Sequence, residues 1–210
     1  MSTVVAKCKV CRRAGEKLFL KGDKCFTPKC TFEKRPTPPG KPISERKHRS
    51  NITEYGLQLR NKQKVRNVYG LSESQFSRYV KESTHEEGSP VDHLFDKLER
   101  RLDNVIFRLG LASSRTQARQ LASHGHFVVG KRKITIPSYR VSEGEVITIR
   151  EGSRKSPLFT SATEKMTKHP SPKWLVPDPV KLSATVKGAP KFDKSEMGFN
   201  FQSVIEFYSR

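Results

Sequence analysis

Residues 101–149, RLDNVIFRLGLASSRTQARQLASHGHFVVGKRKITIPSYRVSEGEVITI, decide the fold. The stretch is entered through a helix. Leu94, Leu98, Leu102, Val105, Ile106 and Leu109 recur at spacings of three and four, which lays one apolar stripe along it, and Gly110 ends it. Ser114 followed by Gln117 is a capping box for a second helix. That helix buries Ala118, Leu121 and Ala122 and stops at Gly125. Three short apolar runs, 127–129, 134–136 and 146–149, read as strands, with turns at Gly130 and over 142–145. Arg101 and Arg108 fall on the first helix. Arg115 and Arg119, one turn apart, share a face of the second. Lys131, Arg132 and Lys133 fall at the turn between two apolar runs. One exposed arginine is ordinarily only a solvated side chain. Seven cations on so small a module suit phosphate better than an uncharged ligand.

The rest of the composition agrees. The chain has 210 residues, 41 Lys/Arg against 21 Asp/Glu, and a formal charge of +20, with a pI near 10.1. Only 34% of it is apolar and 30% is charged, so a modest core supports a large charged surface. A polyanionic partner is expected. No apolar run is long enough to span a bilayer, and the first residues lack the apolar segment of a secretory signal. A membrane-surface role is disfavoured because no basic amphipathic helix carries an aromatic face. Residues 1–50 carry a net +10, residues 51–88 a net +1, residues 89–160 a net +6 and residues 161–210 a net +3. The N-terminal arm and the central module are therefore the electrostatic contacts, and the near-neutral stretch is scaffold.

All four cysteines, Cys8, Cys11, Cys25 and Cys30, lie in the first 30 residues. Two close pairs separated by a short loop can bring four thiolates into a tetrahedron. An arm this small and charged, with Phe19 and Phe26 as its main large apolar side chains, should not fold unaided, and a metal would supply the missing energy. One Zn2+ is the expected occupant. The alternatives are an iron–sulfur cluster on the same ligands, two disulfides, or free thiols. No histidine precedes residue 48 to make a mixed site. Lys7, Lys9, Arg12, Arg13 and Lys29 would offset thiolate charge and remain available to phosphate. Residues 33–50 are a Pro-rich basic connector, read as an extended arm along RNA that carries Lys34, Arg35, Lys41, Arg46, Lys47 and Arg49.

Residues 51–82 read as two helices. The first is broken after Gly70 and carries Arg60, Lys62 and Lys64. The second is capped by Ser72 with Gln75. Their aromatics, Tyr55, Tyr69, Phe76 and Tyr79, read as core. After Ile149 periodicity is lost. Trp174-Leu175-Val176 reads as an apolar anchor at the edge of the central module, and 179–194 as loop with at most one short strand. The ending, with Phe199, Phe201, Val204, Ile205, Phe207 and Tyr208, is too apolar to hang free and is expected to pack on the helices of 51–82.

RLDNV, then R-x-x-A-R-Q-L, then an apolar-Gly-basic turn, then a valine/isoleucine strand resembles the RNA-binding fold of the small ribosomal subunit protein 4 family. YGLQLRNKQKVRNVYGLSESQFSRYV, the cysteine spacing and the terminal Glu-Phe-Tyr-Ser-Arg are similar to the full-length bacterial-type family, in its zinc-cysteine form. The departures are Val129 before Gly130, and Lys41-Pro42 after Pro38-Pro39-Gly40. The resemblance implies early binding to small-subunit ribosomal RNA and an influence on decoding accuracy. It also implies a place beside ribosomal proteins three and five, where mRNA enters, and a cytoplasmic, ribosomal location.

The expected architecture is α+β. It comprises a metal-binding arm over 1–50, a helical domain over 51–88 completed by 180–210, and an RNA-binding domain over 89–179 with its core at 99–155. In that core two helices pack on a short antiparallel sheet. The candidate RNA contacts are Lys7, Lys9, Arg12 and Arg13 of the arm, the connector cations named above, and Arg60, Lys62, Lys64, Arg101, Arg115, Arg119, Lys131, Arg132 and Lys133. No catalytic constellation is present. His124 and His126 have no adjacent nucleophile, and the glycines do not form a phosphate loop. Asp92, Asp96, Glu99 and Asp103 are best explained by pairing with Arg100 and Arg101 and by helix-start charge. No small-molecule substrate is expected. The alternatives are a stand-alone RNA-modifying or stress factor carrying the same fold, and a zinc-finger DNA regulator.

Overall fold

A computed structural model describes residues 6–40, 52–193 and 198–210 and divides the chain into two units. The first runs to His85 and takes in the chain again from Asp193; the second is Glu86–Phe192.

In the first unit, α1 (Lys7–Ala14) leads into a 3-10 turn at Gly22–Phe26 and the short α2 (Thr31–Lys34). The helix α2 ends where Arg35-Pro36 forbids continuation. Next come α3 (Glu54–Tyr69) and α4 (Glu73–His85). Thr53 caps α3 by accepting from the Gly56 amide at 3.2 Å, and Gly70 closes it in the left-handed region at φ 64°. Ser72 accepts from the Gln75 amide at 3.3 Å to start α4. The last helix, α10 (Phe201–Tyr208), packs on α3 and α4, as the apolar ending requires. It buries Phe201, Val204 and Ile205, while α3 and α4 bury Val65, Phe76 and Val80. At its end, Tyr208 donates to Glu73 at 2.6 Å, and Lys62 pairs with the same carboxylate oxygen at 2.5 Å.

The second unit holds α5 (Pro90–Glu99), α6 (Leu102–Arg108), α7 (Arg115–Ser123), β1 (Phe127–Val129), β2 (Arg132–Ile134), β3 (Val146–Ile149), α8 (Glu151–Arg154), α9 (Ala162–Lys168), β4 (Leu175–Asp178) and β5 (Ser183–Val186). The strands form one antiparallel sheet in the order β2-β1-β3-β5-β4. Phe127, Val129, Ile147, Ile149, Ala184 and Val186 point from it into a core filled by Leu102, Val105 and Ile106 of α6, Ala118 and Leu121 of α7, Met166 of α9 and Trp174. The α+β class is as expected.

Four expectations are corrected. The apolar stripe over 94–109 is not one helix. Arg101 leaves it to bridge Arg140, and the Val141 amide donates to the Arg100 carbonyl at 2.9 Å. The exposed start of α6 is then satisfied by the Tyr139 and Pro137 carbonyls, which accept from Leu102 at 2.9 Å and Asp103 at 3.1 Å. Tertiary backbone bonding thus overrides a periodicity that continues through the break. Second, β2 spans Arg132–Ile134, two residues earlier than the apolar run suggests. Gly130, at φ 60°, and Lys131 form a two-residue turn, so pairing resumes at once with Val129 opposite Arg132. Third, residues 180–192 belong to the second unit, not to the helical domain they were expected to complete. Ala184 on β5 pairs with Ile147 on one side and Pro177 on the other, which joins the Trp174 segment to the sheet. The module is correspondingly larger than two helices on a short sheet. Fourth, the arm does not rely on Phe19 and Phe26. Its apolar cluster is Cys11, Leu18 and Val68, with Val10, Ala14, Leu20, Phe32 and Phe199 against it.

Candidate nucleic-acid interface

In the second unit the cations divide into two sets. One set is consumed internally. Asp103, 3% exposed, accepts from Arg101 through Nε at 3.1 Å and Nη2 at 2.7 Å, and from Arg119 through Nη2 at 2.8 Å. Glu99, 1% exposed, takes Arg108 at 2.8 and 3.0 Å. Asn104 ties the same helices, donating to the Glu99 carbonyl at 3.2 Å and accepting from Arg115 Nε at 2.8 Å. Arg115 lies over the Phe107 ring, 4.5 Å from its centroid. Asp96 holds both Arg100 and Arg140 at 2.6 Å. Asp96, Glu99 and Asp103 are thus positioning groups, with Asp96 on Arg100 and Asp103 on Arg101 as expected and Glu99 on Arg108 instead, while Asp92 sits in the first turn of α5. Arg101 is corrected as a candidate contact. It is 2% exposed and locked to Asp103, so it cannot reach a phosphate.

The other set is presented outward. Lys131, Arg132 and Lys133 are all exposed, the first in the hairpin turn and the other two on the edge strand β2. The Lys133 stem lies over Gly125, where an added Cβ would come within 2.2 Å of it. The Arg150 amide donates to the His126 carbonyl at 2.9 Å, which places Arg150 where β3 leaves the sheet. Its charge and that of Lys133 act on His126. Burial first, then the charges of His124, Arg150 and Lys133, hold that imidazole below its ordinary range. Arg150 was missed from sequence because it follows the last apolar residue of the module. Only the antiparallel pairing of β1 with β3 brings residue 150 back to 126.

In the first unit, α1 and α3 border a groove of about 630 Å³, lined by Lys9, Arg13, Arg60 and Lys64 over a floor that includes Val10, Ala14 and Leu59. Lys9, Arg13 and Arg60 are exposed; Lys64 also pairs with Glu16 at 3.1 Å. Arg12 donates to the Thr37 carbonyl at 2.8 Å. Lys29, Lys34 and Arg35 are exposed. Lys62 is corrected. It is 5% exposed, paired with Glu73, and lies 4.8 Å from the Phe207 ring centroid. It holds α3 to α4 and α10. Lys41, Arg46, Lys47 and Arg49 lie outside the described residues.

Cys8, Cys11, Cys25 and Cys30 are free thiols that line one small cavity together with Lys7, Lys21, Leu20 and Phe32. Cys11 is raised above the ordinary thiol value by burial and by the charges of the other three cysteines, against a backbone hydrogen bond from Leu18. Burial also raises Cys8, but hydrogen bonds from Thr31 and Lys21 and the charges of Lys21 and Lys24 bring it below. Lys7 is lowered by burial and by Lys21. Among the described residues, no set of three or more His, Cys, Asp or Glu side chains has coordinating geometry as it stands. The donors are gathered around a cavity without being drawn onto a centre.

A helical unit bearing a basic groove and a sheet module with a cationic edge are the surfaces of a protein suited to a polyanion. Comparison with known families narrows this. Residues 5–99 match the ribosomal protein S4/S9 N-terminal domain, and residues 100–147 match the S4 domain. Small ribosomal subunit protein uS4 of Caldicellulosiruptor saccharolyticus is 48% identical over 203 residues, covering 97% of this chain and 96% of that protein. The uS4 proteins of Oleidesulfovibrio alaskensis and Pelotomaculum thermopropionicum are 46% and 45% identical, over 98% and 97% of this chain and 97% and 96% of their own. The chain belongs to the uS4 family of small-subunit ribosomal proteins.

Proposed function

We infer that this chain is a structural constituent of the small ribosomal subunit that binds ribosomal RNA directly. The observation that carries the reading is the partition of charge in the S4 domain. Its buried carboxylates occupy Arg101, Arg108 and Arg119, while Lys131, Arg132, Lys133 and Arg150 face outward. Phosphate contacts supply affinity, and the folded shape of the RNA supplies selectivity. The domain then fixes RNA helices early in assembly. A position beside ribosomal proteins three and five, on the side where mRNA enters, would let it influence decoding accuracy. No helix of the described residues is long and apolar enough to cross a membrane, in keeping with a ribosomal setting.

Binding to small-subunit ribosomal RNA should be measured against salt. With about 6–10 phosphate contacts, affinity falls by roughly three to five decades between 50 and 200 mM salt. Replacing Lys131, Arg132 and Lys133 by alanine reduces the slope by about 1 for each phosphate contact removed. An unchanged slope would remove the β2 edge from the interface, and equal affinity for duplex DNA would favour a DNA regulator.

The four cysteines are proposed to hold one Zn2+. The reading is supported by four thiols lining one cavity with Lys7 and Lys21, the right donor type and number for a closed thiolate site, and the ion would draw them together and supply folding energy to the arm. One zinc per purified chain, lost with chelator together with protection of α1 from hydrogen exchange, is the expected result. An iron–sulfur absorbance in its place would overturn the zinc assignment.

A further inference from the structure

Phe19 and Phe26 stack on each other in the cysteine arm, with ring centroids 4.9 Å apart and planes at 26°. They are 45% and 74% exposed. Neither belongs to the arm's apolar cluster, which closes on Cys11 and Leu18 without them. Two large apolar rings facing water are therefore not explained by the fold of the arm. They are also held in place. Phe19 adopts φ 50°, a conformation disfavoured for any side chain with a Cβ, and Gly22 beside it sits buried at φ 63°. Phe26 follows the buried Cys25, and its turn is fixed by Thr27, which donates to the Lys24 carbonyl at 3.0 Å and accepts from the Cys30 amide at 3.0 Å. In the same segment of sequence, Lys21, Lys24 and Lys29 are exposed, and Asp23 is the one acidic residue between 17 and 32.

We propose that the Phe19–Phe26 pair is a stacking platform for an unpaired base of the bound RNA, the three lysines taking the phosphates on either side of it. The proposal rests on the RNA-binding reading above. Every nucleobase has a π face that can extend such a stack, and flanking cations suit a nucleotide better than an apolar protein surface. The rings are already paired and oriented, so little ordering accompanies binding.

The test uses the full chain and small-subunit ribosomal RNA at fixed salt. Phe26→Leu keeps the apolar bulk and removes the ring. It weakens binding by about 5- to 150-fold, as loss of one stacked base does, and leaves the salt slope unchanged because no phosphate contact is lost. Phe26→Trp keeps the affinity, and its emission is quenched when RNA binds, against the background of the buried Trp174. Wild-type affinity in Phe26→Leu, or unquenched emission from Phe26→Trp in the complex, overturns the platform and leaves the pair as a protein contact. Failure of the unmodified chain to bind the RNA would instead remove the RNA-binding reading itself, and the platform with it.

Discussion

Asp103→Asn isolates the group on which the S4 domain's arginines are hung. The Asp103 side chain is 5% exposed and pairs with Arg101, at 3%, and Arg119, at 35%. The substitution keeps the shape and one acceptor oxygen and removes the charge. The buried Arg101 guanidinium then loses the charge of Asp103, and breaking a buried pair in this way costs about 3–5 kcal/mol. Arg119 is open enough to be solvated and adds little. Urea unfolding can be followed through Trp174, the chain's single tryptophan, which is 8% exposed inside the same core. With a urea slope of roughly 1–3 kcal/mol/M, the midpoint should fall by at least ~1 M at unchanged slope. Arg101→Met combined with Asp103→Asn should recover half or more of the loss, since the double variant removes both charges of the buried pair. A loss below about 1 kcal/mol in Asp103→Asn, or a double variant no better than the single, would refute the assignment of Arg101 as a structural residue and return it to the candidate RNA contacts.

Glu73 gives the first unit a pH dependence. Burial raises its carboxyl, but hydrogen bonds from Lys62 and Tyr208 and the charges of Lys62 and Arg66 outweigh it and hold the group below its ordinary 4.5. A lowered carboxylate stabilises the fold fully above the unfolded value and loses that contribution as pH falls through the folded one. The protection of α3 and α4 from hydrogen exchange should therefore drop below about pH 4.5, and Glu73→Gln should show the reduced protection already at neutral pH, with a flatter acid profile. Phe201→Ala, at a side chain 1% exposed, should cost the first unit about 3–5 kcal/mol. A chain whose α3 and α4 exchange is unaffected by it would show that α10 is not part of their core.

Much of this fold is legible in local spacing, because its helices carry their own signals. Thr53, Ser72 and Ser114 begin helices by accepting the amide three residues on, and Gly70 ends one in the left-handed region. What local spacing does not carry is pairing between distant segments. The stripe through Leu98 and Leu102 continues across Arg100 and Arg101, and only the segment 137–141, bonding to that backbone, breaks the helix. Strands β4 and β5 add to the sheet through the pairing of β5 with β3, which nothing near residue 183 announces. The same limit applies to the interface. A lysine's residue type does not reveal whether a carboxylate waits for it. Lys62 and Arg101 are buried and paired, while Lys131 to Lys133 are not buried at all.

That distinction changes what the net charge means. Of the central module's cations, those nearest the helices are bound to carboxylates drawn from α5 and α6, and they set the angle at which α6 and α7 meet. The Arg101–Asp103 pair is withdrawn from water, so salt screens it weakly. The exposed set on the β2 edge and at Arg150 faces the opposite condition, where every phosphate contact releases counterions and is strongly salt-dependent. One set of cations is tied into the scaffold, and a second, Lys131, Arg132, Lys133 and Arg150, is the set proposed to meet the RNA. The chain can do both because Asp96, Glu99 and Asp103 are paired with arginines of the same module, while the β2 cations stay exposed.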